Sequence, residues 1–180
     1  MQPLSSTVIS LLATLTLFSN ILVVGALALL FIRKFFPKEK RVSKITKLIA
    51  ENYVAVVLII SATATVGSLS LSELISFIPC KLCWYQRSMM YPMAVISFVA
   101  LIKNDLHIKK YIMPLSGIGL LIAGYHILLQ LFPKALECND EVAKCSAVEF
   151  AQYGYVTIPV MAFSAFLLIL LVGLFKSSDK

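Results

Sequence analysis

The chain has 180 residues, 59% of them hydrophobic and 14% charged, with a mean hydropathy of +0.90 and a formal net charge of +7. A soluble globular domain is excluded, since it carries about 45–50% apolar and about 25% charged residues; a disordered chain, which needs low hydrophobicity, is excluded too. Four cysteines are too few for a disulfide-dense secreted scaffold.

Taken in chain order, five stretches are long and apolar enough to be predicted as membrane-crossing helices, which need about 20 residues. They are 8–32, 53–72, 84–102, 111–132 and 155–175. Only the third contains a charged side chain, Arg87. A signal peptide would place basic residues ahead of a shorter apolar core of about 7–15 residues. Here the basic residues follow the first stretch, which reads as a retained helix. The links are short, so neighbouring helices are expected to pack antiparallel. The expected fold is an all-α integral membrane bundle with five spans.

Lys and Arg in short loops set orientation. Segment 33–51 carries Arg33, Lys34, Lys38, Lys40, Arg41, Lys44 and Lys47; Lys103, Lys109 and Lys110 follow the third stretch, and Lys176 and Lys180 follow the fifth. These are twelve of the 16 basic residues, all on one side. The reading is an N-terminus outside and a C-terminus in the cytoplasm. The positive charge is a topogenic and lipid-facing signal, not a nucleic-acid footprint.

This orientation places all four cysteines on the outer face. Cys80 and Cys83 lie in Pro79-Cys80-Lys81-Leu82-Cys83-Trp84, and Cys138 and Cys145 in the loop 133–154. An extracytoplasmic face permits disulfides. A Cys-x-x-Cys at a helix start is a recurring redox arrangement, because the helix N-terminus and a nearby cation lower a thiol pKa. Arg87, four residues after Cys83, shares its helical face and is expected within reach of that sulfur. The second pair sits in a polar, acidic loop suited to exchange with an outside protein. Two structural disulfides would satisfy the same topology. A zinc site built from the four cysteines would need all their thiolates together in an oxidising place.

Two ionisable residues fall inside spans, where each is costly and a functional hypothesis. Arg87 and His126 lie at matched depth, roughly 6–9 Å below the outer surface at ~1.5 Å rise per residue. Together they could hold the carbonyl head group of a lipid-soluble molecule, the cation stabilising an oxyanion and the imidazole relaying a proton. The plainer readings are snorkelling for Arg87, an interhelical hydrogen bond for His126, and interfacial-belt roles for Trp84, Tyr85 and Tyr91. Gln86 and Gln130 have no assigned role. Pro92, Pro114 and Pro159 lie in spans, and Gly117, Gly119 and Gly124 read as sites of close helix packing.

Cys80-Lys81-Leu82-Cys83-Trp84-Tyr85-Gln86-Arg87 resembles the C-x-L-C-x-Y-x-R motif of the DsbB family of bacterial quinone-linked disulfide-formation proteins. Trp84-Tyr85-Gln86-Arg87, the short second cysteine loop and Tyr155-Val156-Thr157-Ile158-Pro159 look more like its BdbC branch. His126 with Leu129-Gln130-Leu131-Phe132-Pro133 is similar to the family's histidine segment. In vitamin K epoxide reductase relatives the loop pair precedes the Cys-x-x-Cys; here it follows.

The resemblance implies an antiparallel four-helix redox domain at 53–176, preceded by an extra transmembrane helix and basic loop at 1–52 and followed by a tail at 177–180. It implies an inner-membrane enzyme that reoxidises a DsbA-like thioredoxin-fold thiol oxidase and passes the electrons to the quinone pool, ubiquinone or menaquinone. Cys138 and Cys145 would be the exchange pair, and Cys80 and Cys83 the quinone-facing pair, with Cys83 nearest the ring. Arg87 would stabilise the thiolate–quinone charge, and His126 would line the quinone pocket. The competing expectation is a non-enzymatic assembly or transport protein with two structural disulfides.

Overall fold

The computed structural model describes residues 2–35, 40–132 and 144–175. Within a bilayer every backbone polar group needs an internal partner, which helices provide. The elements are accordingly α1 (Gln2–Phe35), α2 (Lys40–Glu51), α3 (Tyr53–Leu69), α4 (Lys81–Lys103), α5 (Lys109–Leu131) and α6 (Ile158–Leu174). A π-helical turn, Ser70–Leu74, extends α3, and a 3-10 turn, Leu106–Ile108, precedes α5.

Three helical segments are long and apolar enough to cross a membrane: Ser5–Phe35, Tyr53–Leu74 and Lys109–Leu131. The apolar α6 has 17 residues, and α4 has 23 but carries Gln86 and Arg87. Helix α3 packs on α4, α4 on α5, α5 on α6 and α6 on α3, closing a four-helix ring. Helix α1 lies outside the ring against α6. Val57, Met93, Ile112, Phe166 and Ile169 fill the core, while Ile21, Val95 and Leu121 face outward as a lipid-facing surface should. The fold is the expected membrane bundle with one added N-terminal helix.

Helix packing in lipid relies on close approach of small residues. Gly119 of α5 meets the ring of Phe166 with no room for a Cβ, and Gly173 of α6 does the same against Met113. Gly117 has nothing within 4 Å, so of the three α5 glycines Gly119 carries the close approach. Pro159 falls in the first turn of α6, where a missing N–H costs nothing.

Two boundaries differ from the sequence reading. Segment 33–51 is not simply a loop: it contains α2, a helix burying Val42, Thr46 and Ala50 on one stripe while Arg41, Lys44 and Lys47 stay exposed. The last helix begins at Ile158 instead of Tyr155. Gln152 and Val156 exchange two main-chain hydrogen bonds of 3.0 and 2.9 Å across a turn with Tyr153 and Gly154 at positive φ. That turn uses up the apolar residues Tyr155 and Val156 before the helix starts.

Candidate functional site

Cys80 caps α4. Its backbone is extended, and its carbonyl accepts from Trp84 N–H at 3.1 Å, so the helix begins at Lys81 and Cys83 is its third residue. The Cys-x-x-Cys therefore straddles a helix N-terminus, as its sequence context implies. One turn of helix brings the two sulfurs to 3.4 Å, with the Cys80 thiol donating to Cys83. Both precede the apolar stretch that starts at Trp84. Donation to Cys83 pushes the Cys80 thiol up to about 12, with burial adding to the effect. The same hydrogen bond draws Cys83 below the usual thiol range, against desolvation and with help from the Arg87 charge.

Arg87 is half-buried, and its hydrogen bonds run to Ser68 near the end of α3. Nε donates to Ser68 Oγ at 2.9 Å and a terminal nitrogen donates to the Ser68 carbonyl at 3.0 Å. The guanidinium also stands 5.3 Å from the Trp84 ring centroid. Arg87 is thus a charge near Cys83 tied to α3 through Ser68. Tyr91 donates to Ser68 Oγ at 3.4 Å, which turns it into the bundle instead of leaving it a belt aromatic. Ser68, the shared acceptor, has no signal in the sequence: it is one of several serines in an apolar span.

His126 of α5 is buried and joins three elements. The Gln86 amide nitrogen lies 3.1 Å from Nδ1; Nε2 lies 3.0 Å from the Cys145 carbonyl and 3.8 Å from the Cys80 sulfur. With Gln86 donating to Nδ1, Nε2 carries the hydrogen and donates to Cys145. The atoms of Cys80, Cys83 and His126 lie within 4.8 Å of one another, a set that soft metals favour. This tautomer spends Nε2 on a carbonyl and leaves it no lone pair for an ion.

Cys145 is buried in a cluster with Cys80, Leu82 and Leu129, with Cys83 packed against it. The sequence reading placed it in a loop suited to exchange with an outside protein; the structure packs this part of the loop against the first pair. Gln130 holds it there, donating to the Ala147 carbonyl at 3.1 Å while accepting from Thr157 at 2.9 Å. Cys138 lies outside the described residues. Gln86 and Gln130, visible in the sequence as polar residues without roles, are the supports of His126 and of the loop.

Cys80, Cys83, Arg87 and His126 all line one largely apolar cavity of about 380 Å³. A cation beside two thiols in a largely apolar cavity suits a lipophilic molecule with polar carbonyls. Residues 50–175 match the family described as Disulfide bond formation protein DsbB. The chain belongs to the DsbB family.

Relatives of this DsbB-family chain include the SPbeta prophage-derived disulfide bond formation protein B of Bacillus subtilis (strain 168), 40% identical over 64% of this chain and 78% of the relative. Disulfide bond formation protein C of the same organism is 39% identical over 68% and 90%. A probable disulfide formation protein of Oceanobacillus iheyensis is 38% identical over 73% and 92%. These relatives support a BdbC-like member of the DsbB family. No solved structure matches. The family match begins at residue 50, so α1 lies wholly ahead of it.

Proposed function

We propose that the protein is a membrane thiol–disulfide oxidoreductase that reoxidises an extracytoplasmic DsbA-like, thioredoxin-fold dithiol and passes two electrons to a membrane quinone, ubiquinone or menaquinone. The observation that carries this reading is the single cavity lined by Cys80, Cys83, Arg87 and His126, with Cys145 buried beside Cys80.

In this reading a partner thiolate attacks Cys138 of the Cys138–Cys145 disulfide, forms a mixed disulfide and releases Cys145 as a thiolate. The second partner thiol resolves the mixed disulfide and frees Cys138. Cys145 attacks Cys80 of the Cys80–Cys83 disulfide and releases Cys83 as a thiolate, which the Arg87 charge favours. Cys138 then closes on Cys145 and frees Cys80. The Cys80–Cys83 dithiol gives up two electrons and two protons and returns to a disulfide. The burial of Cys145 against Cys80 supports its role as the inner cysteine, leaving Cys138 for the partner. His126 holds the Cys145 main chain over Cys80. Arg87 supplies fixed positive charge beside Cys83.

The quinone supplies the oxidising potential. DsbA-type dithiols sit near −120 mV, and an acceptor roughly 200 mV more positive contributes on the order of 9 kcal/mol for two electrons. The charge distribution supports an N-terminus and cysteine loops outside and a cytoplasmic C-terminus.

The test uses purified protein in detergent with a reduced thioredoxin-fold dithiol and a short-chain quinone. Quinone absorbance and partner thiols should fall together, and Cys83→Ser should abolish both. Uncoupled behaviour, with every cysteine locked in a disulfide that glutathione cannot open, would leave a structural protein that shares the fold.

A further inference from the structure

Helix α1 is more than an added anchor, because it supplies one face of the cavity. Leu12, Leu15, Ser19 and Leu22 line it at three- and four-residue spacing, a single helical stripe. At the cysteine end Leu12 presses on α3 at Gly67, where a Cβ would lie 2.7 Å from a Leu12 methyl. Gly67 adjoins Ser68, the anchor of Arg87. From Leu12 the stripe runs ten residues, ~15 Å, away from the thiols. Ile60 and Leu168 line the same cavity from α3 and α6.

Polar groups are sparse along this trough. Thr16 spends its hydroxyl on the Leu12 carbonyl at 2.9 Å, and the Ser19 hydroxyl is buried without a partner. The wall is also pinned. Ser164 of α6 donates to Asn20 at 2.6 Å, Asn20 donates to Tyr155 at 3.3 Å, and Thr14 meets the Tyr153 hydroxyl at 3.2 Å. The cavity thus has a polar, charged head beside the thiols and a long apolar extension along a fixed helix. That is the shape of a ring carrying a hydrocarbon tail.

We propose that α1 forms the tail-binding wall of the electron-acceptor site: the Leu12–Leu22 stripe holds the first polyprenyl units of a quinone whose ring lies at the end of the cavity lined by the two thiols and Arg87. This rests on the quinone-linked reading above and adds to it a substrate requirement supplied by the segment ahead of the family match.

The test compares two quinones with the same ring, one carrying a ten-carbon chain and one none, reduced by the intact protein. Ser19→Trp fills the trough. We expect it to raise the ratio of KM for the tailed quinone to KM for the tail-less one about tenfold over the parent. Val24→Trp, on the exposed side of the same helix, should keep the parental ratio. A quinone with a photoreactive group on its tail gives a readout on the parent protein that does not depend on the variants folding. It should label residues 12–22, and excess tailed quinone should suppress the label. A parental ratio in Ser19→Trp, or labelling confined to α3–α6 or to nothing that tailed quinone displaces, would overturn the proposal while leaving quinone reduction in place. A parent protein that reduces neither quinone would overturn the underlying reading, and this proposal with it.

Discussion

His126 donates from Nε2 to the main-chain carbonyl of Cys145, 3.0 Å away. The bond joins the middle of the bundle to the second cysteine loop through backbone. The acceptor is the main-chain carbonyl, so the bond itself does not use the Cys145 sulfur.

Removing the imidazole with His126→Ala leaves that buried carbonyl without its partner, at a cost of about 1–3 kcal/mol. In a Cys83→Ser, Cys138→Ser background, diamide should join Cys80 to Cys145. His126→Ala is expected to slow that joining about tenfold. Mass spectrometry of alkylated samples over time measures it, and a parental rate would show that Gln130 holds the loop without help.

Cys83 is drawn below the usual thiol range first by the hydrogen bond from Cys80. A lowered pKa means the thiolate is populated at lower pH, so alkylation of Cys83 in the reduced protein should reach half its maximal rate below pH 9. Cys80→Ala removes the donor. The midpoint should then move up in pH, with slower alkylation at neutral pH. A midpoint that stays where it was would assign the effect to Arg87 and the helix end.

The two hydrogen bonds from Arg87 to Ser68 require a planar fork. Arg87→Lys keeps the charge and loses that geometry. We expect KM for a short-chain quinone to rise about tenfold, equivalent to about 1.4 kcal/mol. Ser68→Ala deletes one acceptor and keeps the carbonyl, so its rise should be smaller, about threefold. Equal effects from the two variants would mean that the hydroxyl, rather than the fork, does the positioning.

Gly119→Ala drives a methyl group into the Phe166 ring, whereas Gly117→Ala meets open space. Overpacking costs about 1–3 kcal/mol. Thermal unfolding in detergent should show a clear loss of Tm for Gly119→Ala and little change for Gly117→Ala.

Much of this architecture was legible in the sequence. Spans follow from uninterrupted apolar composition, and Cys83 at a helix start follows from its place immediately ahead of the apolar stretch that begins at Trp84. Helix α2 was hidden because its buried stripe of Val42, Thr46 and Ala50 is only one face of a helix otherwise rich in Lys and Arg, so its mean hydropathy looks like that of a loop. The partners of His126 were hidden for another reason. Gln86 is 40 residues away and Cys145 is 19, on different elements, and helical spacing speaks only to neighbours within one helix. Ser68 gave no signal at all, since a serine in a span ordinarily bonds its own helix, as Ser61 and Ser97 do here.

The hydrogen bonds that hold α1 in place have a temporal side. Asn20 is made early in synthesis, and its partners Tyr155 and Ser164 are made near the end. Until they arrive, its side-chain amide sits in an apolar helix without the groups that satisfy it in the finished protein. Each interhelical bond of this kind is worth only about 0.6 kcal/mol, and the main packing partner of the first helix, α6, is also made last. The cavity's outer wall thus lacks its fixing groups until α6 is present, and a chain truncated before α6 would carry its redox pair on an open bundle.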